Sequence, residues 1–177
     1  MCFFRRKKRS PKPIHADFPQ SWKDLLNKHL PFYRSLSQAE KADFERRVLR
    51  FLNTTKITGI KTTVEDNDRA LIGASAIVPI WAFPAWEYHN LNEVLLYPNH
   101  FDENHKIGSK SRAILGMVGY GYMEGKMILS KYSLWHGFKN QTDKQNTAIH
   151  EFVHLLDKAD GSIDGVLGTI HEREMAL

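Results

Sequence analysis

The stretch "QNTAIHEFVHLLDKADG" (residues 145–161) predicts a helix with two histidines on one face. His150 and His154 are four residues apart, so on a helix their rings project from the same side about one turn apart. That separation suits two imidazole nitrogens that bind one zinc ion at about 2.0–2.1 Å each. Glu151 follows about 100° further round the helix, from where its carboxylate can reach a water molecule at the metal. The pattern therefore predicts a metal centre with its own general base.

The same stretch carries an apolar stripe at the i, i+3, i+4 and i+7 spacing of an amphipathic helix, namely Ile149, Phe152, Val153 and Leu156. We expect this stripe to anchor the helix on the core. Thr142 and Gln145 have the spacing of a capping box and predict where the helix begins. Asp157, three residues after His154, is a candidate acceptor that would orient a ligand imidazole. The alternative interpretation is a half-exposed helix with two solvated histidines.

A zinc-peptidase centre needs a third protein ligand, and three sources remain open. Asp160 stands where the metzincin pattern has a histidine, although this chain lacks the glycine of that pattern. Glu174 lies 20 residues after His154, a workable distance for the thermolysin-like pattern, and His171 and Glu172 are its neighbours. The third source is a residue beyond Leu177. The structural alternative for "HERE" (171–174) is an exposed polar start of a helix.

Charge and composition argue against several classes of protein, among them nucleic-acid binders and membrane-spanning proteins. The 177 residues have a formal net charge of +5, but six of the 25 Lys and Arg residues fall within the first twelve positions. The remainder is almost neutral, which argues against nucleic acid as a partner because a binder needs a basic face on its folded part. Residues 1–14 therefore read as a basic disordered tail. The only cysteine, Cys2, excludes an intrachain disulfide, and the longest apolar run (74–86) is interrupted by prolines. We expect a cytoplasmic protein without a membrane span.

The order of predicted elements indicates an α+β fold. Helices are predicted at 21–30 with Ser21 as the cap, at 37–52 with Ser37 and Glu40 in a capping box, and from about 67 to Pro79. Extended segments are predicted at 56–64, 92–98 and 125–134, followed by the histidine helix. We expect "NEVLLYP" (92–98) to lie beside that helix, as the edge strand that pairs with extended substrate.

Several blocks resemble the Mlc titration factor A family of zinc metallopeptidases, whose catalytic domain is similar to that of anthrax lethal factor. The blocks are "RRKKR" near the start, "PFYRSLSQAEKADFERRVLRFL" (31–52), "IVPIW" (77–81), "NEVLLYP" (92–98), "GKMILSKYSL" (125–134) and "NTAIHEFVHLLDKADGSIDGV" (146–166). The resemblance implies a zincin-like fold with N-terminal helices, a small mixed sheet and an active-site helix. It also implies a cytoplasmic peptidase of aminopeptidase type, with Zn²⁺ on His150 and His154, Glu151 as the catalytic residue, and Asp157 at the aspartate that follows the motif.

The family's third ligand is a glutamate in a later helix, and this chain ends before that position would be reached. We therefore expect residues 15–177 to form a peptidase domain that lacks its C-terminal part, holds zinc weakly and has little activity. The family also implies a peptide substrate and, through a glucose-responsive transcriptional repressor, a link to sugar uptake. The alternative function is a non-catalytic protein that sequesters a transcriptional regulator and retains a vestigial metal site.

Overall fold

A computed structural model describes residues 17–99, 116–118, 124–140 and 146–159. The helices within these ranges are α1 (Gln20–His29), α2 (Pro31–Ser35), α3 (Gln38–Thr54), α4 (Asp66–Ile77), α5 (Lys131–Lys139) and α6 (Thr147–Ala159). The strands are β1 (Lys56–Gly59), β2 (Glu93–Tyr97), β3 (Gly116–Val118) and β4 (Lys126–Ser130). The mixture of helices with one small sheet confirms the α+β class. The predicted tail, residues 1–14, lies outside the described residues.

The helices begin and end largely where local signals predict. In α3, the Ser37 hydroxyl accepts the Glu40 backbone N–H and the Glu40 carboxylate accepts the Ser37 N–H, which confirms the capping box. Helix α4 ends just before Pro79, as the ring of a proline dictates. The prediction that Ser21 caps α1 is wrong, because the helix begins at Gln20, one residue after Pro19.

The sheet is mixed and has the strand order β1-β2-β4-β3. Strand β2 pairs in parallel with β1 on one side and with β4 on the other. Strand β3 pairs antiparallel with β4 and forms one edge of the sheet as described. The expectation that 92–98 is an edge strand is therefore wrong, since β2 has hydrogen-bonded neighbours on both sides.

Helix α4 lies at the centre of the core, in contact with α1, α3, α5 and α6. Its close approach to α3 depends on Gly73, because a Cβ at that position would lie 2.7 Å from the Val48 Cγ1. Asp68 at the start of α4 is fully buried and accepts a hydrogen bond of 2.8 Å from the Trp135 indole. The Lys131 ammonium lies 2.9 Å from the same carboxylate, so the buried charge is paired and α5 is tied to α4.

Three features of the fold differ from the predictions. The strand predicted at 125–134 ends at Ser130, and α5 follows it directly. Strand β1 covers only the first part of the extended segment predicted at 56–64. The short helix α2 and strand β3 were not predicted. Within the described ranges, no helix has the length and apolar character needed to cross a bilayer.

Candidate metal centre

One face of α6 packs against the hydrophobic core. The side chain of Phe152 is wholly buried, with ring-centroid distances of 5.6 Å to Phe51 on α3 and 5.2 Å to Tyr88 in the segment between α4 and β2. The Asn90 side-chain amide donates a hydrogen bond of 2.9 Å to the Leu155 carbonyl of the same helix. Aromatic packing and a hydrogen bond to the backbone therefore fix α6 from behind.

The buried face of α6 is not the predicted stripe. The side chains that the core encloses are Ala148, Glu151, Phe152 and Leu155. Val153 is 39% exposed, and Ile149 and Leu156 are half-buried. The predicted i, i+3, i+4, i+7 spacing is present, but it begins one residue earlier and includes the carboxylate.

Helix α6 begins at Thr147, and Asn146 caps it. The Asn146 Oδ1 accepts the Ile149 N–H at 3.1 Å, and its carbonyl accepts the His150 N–H at 3.0 Å. The prediction that Thr142 and Gln145 open the helix is therefore wrong about its start, and both residues lie outside the described ranges. The cap sits against α5, where a Cβ on Gly137 would lie 3.1 Å from the Asn146 Cα.

The two histidine rings converge on the exposed side of α6. The Nε2 atoms of His150 and His154 are 2.9 Å apart, and the rings meet edge to face with centroids 4.3 Å apart. Two nitrogens at about 2.0–2.1 Å from one tetrahedral zinc ion would be about 3.3 Å apart. A small rotation of either exposed ring supplies the difference. The imidazole pair therefore fits a shared metal ion, which would face solvent.

Glu151 lies between the two histidines in sequence and is only 8% exposed. Burial raises the pKa of its carboxyl group above the ordinary value, and the nearby His154 acts in the opposite direction. Among the described residues, none donates a hydrogen bond to this carboxylate or forms an ion pair with it. A carboxylate that is desolvated and not otherwise engaged is suited to exchange a proton with a bound water.

Asp157 lies one turn beyond His154 on the same side. Its Oδ2 is 3.9 Å from the His154 Nδ1, which is too long for a hydrogen bond. The carboxylate is mostly covered, and it acts on the ring only through its charge at this distance. The predicted role of Asp157 in orienting the imidazole would require the two groups to approach by roughly 1 Å.

The described residues bring no third candidate ligand to the two histidines. Over the described ranges, no group of three His, Cys, Asp or Glu side chains is arranged to hold a metal ion. The sequence candidates, Asp160, His171, Glu172 and Glu174, all lie outside the described residues.

Comparison with known proteins identifies the family. A family model described as glucose-regulated metallo-peptidase M90 matches residues 3–176. The chain belongs to this family, that of Mlc titration factor A, which confirms the resemblance read from the sequence blocks. The family is described as one of metallopeptidases.

One curated relative is the uncharacterized protein slr2042 of Synechocystis sp., which is 27% identical over 177 aligned positions. The alignment covers 92% of this chain and 60% of that protein. The chain thus spans about three-fifths of the length of this relative.

Proposed function

We propose that residues 15–177 form a zincin-like domain of a zinc-dependent peptidase that hydrolyses peptide bonds in the manner of an aminopeptidase. The observation that carries this proposal is the convergence of the His150 and His154 Nε2 atoms to 2.9 Å on an anchored helix. Family membership supports the same reaction class. The proposed roles are His150 and His154 as metal ligands and Glu151 as the catalytic residue.

Zinc is the metal that this donor set favours. Imidazole nitrogens suit zinc, and four-coordinate zinc uses three protein ligands and one open position in catalytic sites. When bound, zinc would act as a Lewis acid and lower the pKa of a coordinated water to about 7. The third protein ligand is left open between the sources named from the sequence.

Glu151 supplies the proton transfer. Its carboxylate would accept a proton from the attacking water and then donate that proton to the amine that leaves when the peptide bond breaks. The burial that raises its pKa helps the second step, because a desolvated carboxyl group holds its proton closer to neutral pH. His150 and His154 would hold the metal from the exposed side of α6, and the Glu151 carboxylate would reach the coordinated water from the buried side.

The edge of the sheet offers a place for the peptide. Strand β3 contacts α6, and among the described strands it is paired only with β4. An extended substrate would add its main-chain hydrogen bonds to the open edge of Gly116–Val118, a common way of binding peptides. This assigns to β3 the role that the sequence suggested for 92–98.

The wider biology is proposed from the family. The family description refers to regulation by glucose, and with it we propose a connection to sugar uptake. A cytoplasmic location and a transcriptional repressor as partner belong to the same proposal. The alternative function is a non-catalytic protein that sequesters such a regulator, with a vestigial metal site. The observation that favours the alternative is that the described residues bring only two metal-ligating side chains together.

Hydrolysis of aminoacyl p-nitroanilides at saturating zinc would separate the two functions. We expect Glu151→Gln to lower the rate by about 10²–10⁴-fold, as for the loss of a general base, while zinc binding is retained. His154→Ala should lose both zinc binding and hydrolysis. Glu124→Gln is the matched control, because Glu124 is exposed and should behave as wild type. Equal rates for wild type and Glu151→Gln would remove the enzymatic proposal and leave the binding protein.

A further inference from the structure

A second candidate site lies behind α6, the helix that carries His150 and His154. A cavity of about 230 Å³ opens between the C-terminal half of α3 and the segment 77–92. Its polar lining includes three arginines of α3, Arg46, Arg47 and Arg50. Neither imidazole of the metal centre lines it, nor does Glu151. The cavity is thus separate from the proposed catalytic face.

Arg47 is the unusual member of this lining, because its guanidinium is buried against backbone carbonyls and the Trp81 ring, whose centroid lies 5.4 Å from the Cζ atom. The residue is 6% exposed, and among the described residues no carboxylate lies within ion-pair distance of it. Its Nη2 donates to the carbonyls of Ile80 and Phe83 at 2.7 and 3.2 Å, and its Nη1 to that of Trp81 at 3.0 Å. A buried charge costs free energy unless a charge of opposite sign compensates it.

The hydrogen bonds of Arg47 leave part of its donor capacity unused. A guanidinium has five N–H groups, whereas Arg47 makes three hydrogen bonds, two from Nη2 and one from Nη1. The Nε–H and the second Nη1–H have no partner in the described parts of the chain. Burial lowers the pKa of Arg47, and the nearby Asp43 acts in the opposite direction. An anion in the cavity would accept the N–H groups that no described residue accepts.

Two further arginines stand at the mouth. Arg46 and Arg50 are one turn apart on α3 and mostly exposed, and they form ion pairs with Asp43 and Glu87. Surface ion pairs of this kind are weak and exchange readily. Both side chains can therefore turn toward an anion without loss of a buried contact.

Part of the remaining lining is apolar and aromatic, and it lies beside polar residues that include Glu87, His89 and Asn92. Trp86 stacks on Phe83 with ring centroids 4.1 Å apart, and it lines the cavity together with Ile77, Ile80 and Leu91. The volume is smaller than the 300–1,000 Å³ typical of sites for drug-sized ligands. The cavity therefore limits its occupant to a compact molecule.

We propose that this cavity binds a small organic anion, a carboxylate or phosphate group on a compact flat body, with Arg47 at its base and Arg46 and Arg50 at its mouth. The site is independent of the peptidase reaction. It nevertheless shares Phe51 and Tyr88 with the packing around Phe152, so its occupant lies directly behind α6.

Titration calorimetry with phenyl phosphate, benzoate and phenol tests the proposal on the whole chain. We expect saturable binding of at least one of the two anions and much weaker binding of phenol. Arg50→Gln and Arg46→Gln should each weaken the anion by roughly tenfold, the loss of one charge-assisted hydrogen bond. Both arginines are exposed, so the variants should keep the wild-type circular dichroism.

Two controls make the result decisive. Arg69→Gln removes an arginine of α4 that does not line the cavity, and it should leave the affinity unchanged. His154→Ala should also bind the anion normally, which excludes binding at the metal centre. The preferred anion identifies the head group that the site takes. Absence of saturable binding at about 10 mM, or equal weakening by Arg69→Gln and Arg50→Gln, would overturn the proposal.

Discussion

We predict that replacement of Phe152 by alanine destabilises the fold and also loosens α6. A matched variant elsewhere in the core should only destabilise the fold. The Phe152 ring is wholly buried and contacts Phe51 and Tyr88. Truncation of a buried phenylalanine costs about 3–5 kcal/mol in the free energy of unfolding, through lost burial and the cavity that remains. The two ring contacts account for about 0.5–1.5 kcal/mol each within that sum. Domains are stable by about 5–15 kcal/mol, so Phe152→Ala should remain folded with a reduced margin.

The matched control is Phe44→Ala. Phe44 is equally buried, but its ring packs against Tyr33 at 5.6 Å and Trp81 at 5.8 Å, away from α6. Urea denaturation should show a similar loss of stability for both variants. Zinc affinity should differ, because only Phe152→Ala loosens the helix that holds His150 and His154 together.

The expected difference in zinc affinity follows from the fraction of molecules in which α6 keeps its zinc-binding geometry. If only about a tenth of the Phe152→Ala molecules keep α6 in its bound geometry, the apparent dissociation constant for zinc rises about tenfold. Phe44→Ala should change it by less than about twofold. A loss of stability below about 1 kcal/mol for Phe152→Ala would refute the packing argument. Equal weakening of zinc binding by both variants would refute the anchoring argument.

Two further predictions concern the cap of α6 and the sheet. Gly137→Ala should displace Asn146, the cap of α6, because the added Cβ would lie 3.1 Å from the Asn146 Cα, and should therefore weaken zinc binding; a zinc titration measures the effect. In the sheet, the Thr58 hydroxyl donates to the Glu93 carboxylate at 2.5 Å and is the main cause that lowers the Glu93 pKa. The associated stability is present above about pH 4.5 and is lost as the pH falls through the lowered folded pKa. Thr58→Val should therefore lower the free energy of unfolding at pH 6 but have little effect at pH 2, as urea denaturation at the two values would show. A constant difference across this range would contradict the assignment.

Elements bounded by local chemistry were predictable from the sequence. The boundaries of α3 follow from Ser37 and Glu40, which form both halves of a capping box in the structure. The end of α4 follows from Pro79. In each case the decisive interaction joins residues within one turn of each other, so the sequence displays both partners side by side.

The boundary between β4 and α5 could not be recognised in this way. Ser130 is both the last residue of the strand and the N-cap of the helix, where its hydroxyl accepts the Ser133 N–H at 3.2 Å. No glycine or proline separates the two elements, and "KMILSKYSL" therefore reads as one extended segment. Strand β3 has only three residues, and its register is set by β4 rather than by a pattern of its own.

The same contrast between local and distant interactions separates the two candidate sites, the imidazole pair and the arginine cavity. The convergence of His150 and His154 follows from a spacing of four residues on a helix. The cavity joins α3 to Trp86, more than thirty residues away, and the buried state of Arg47 depends on carbonyls of that distant segment. A run of arginines on an amphipathic helix indicates a solvated face, and only the tertiary contacts reveal that Arg47 is buried without an ion pair to a described residue.

The wrong choice of stripe on α6 is informative about the proposed chemistry. The predicted set 149, 152, 153 and 156 contains only apolar residues, whereas the buried set shares only Phe152 with it and includes Glu151. Burial of a carboxylate opposes folding and raises its pKa, so packing alone would not select glutamate at this position. Residues that conflict with their local environment tend to occur where function requires them. The prediction of the buried face thus failed at the residue to which we assign proton transfer. If that assignment is correct, Glu151→Leu should raise the free energy of unfolding while abolishing hydrolysis; a destabilised Glu151→Leu would instead show that the carboxylate serves the fold.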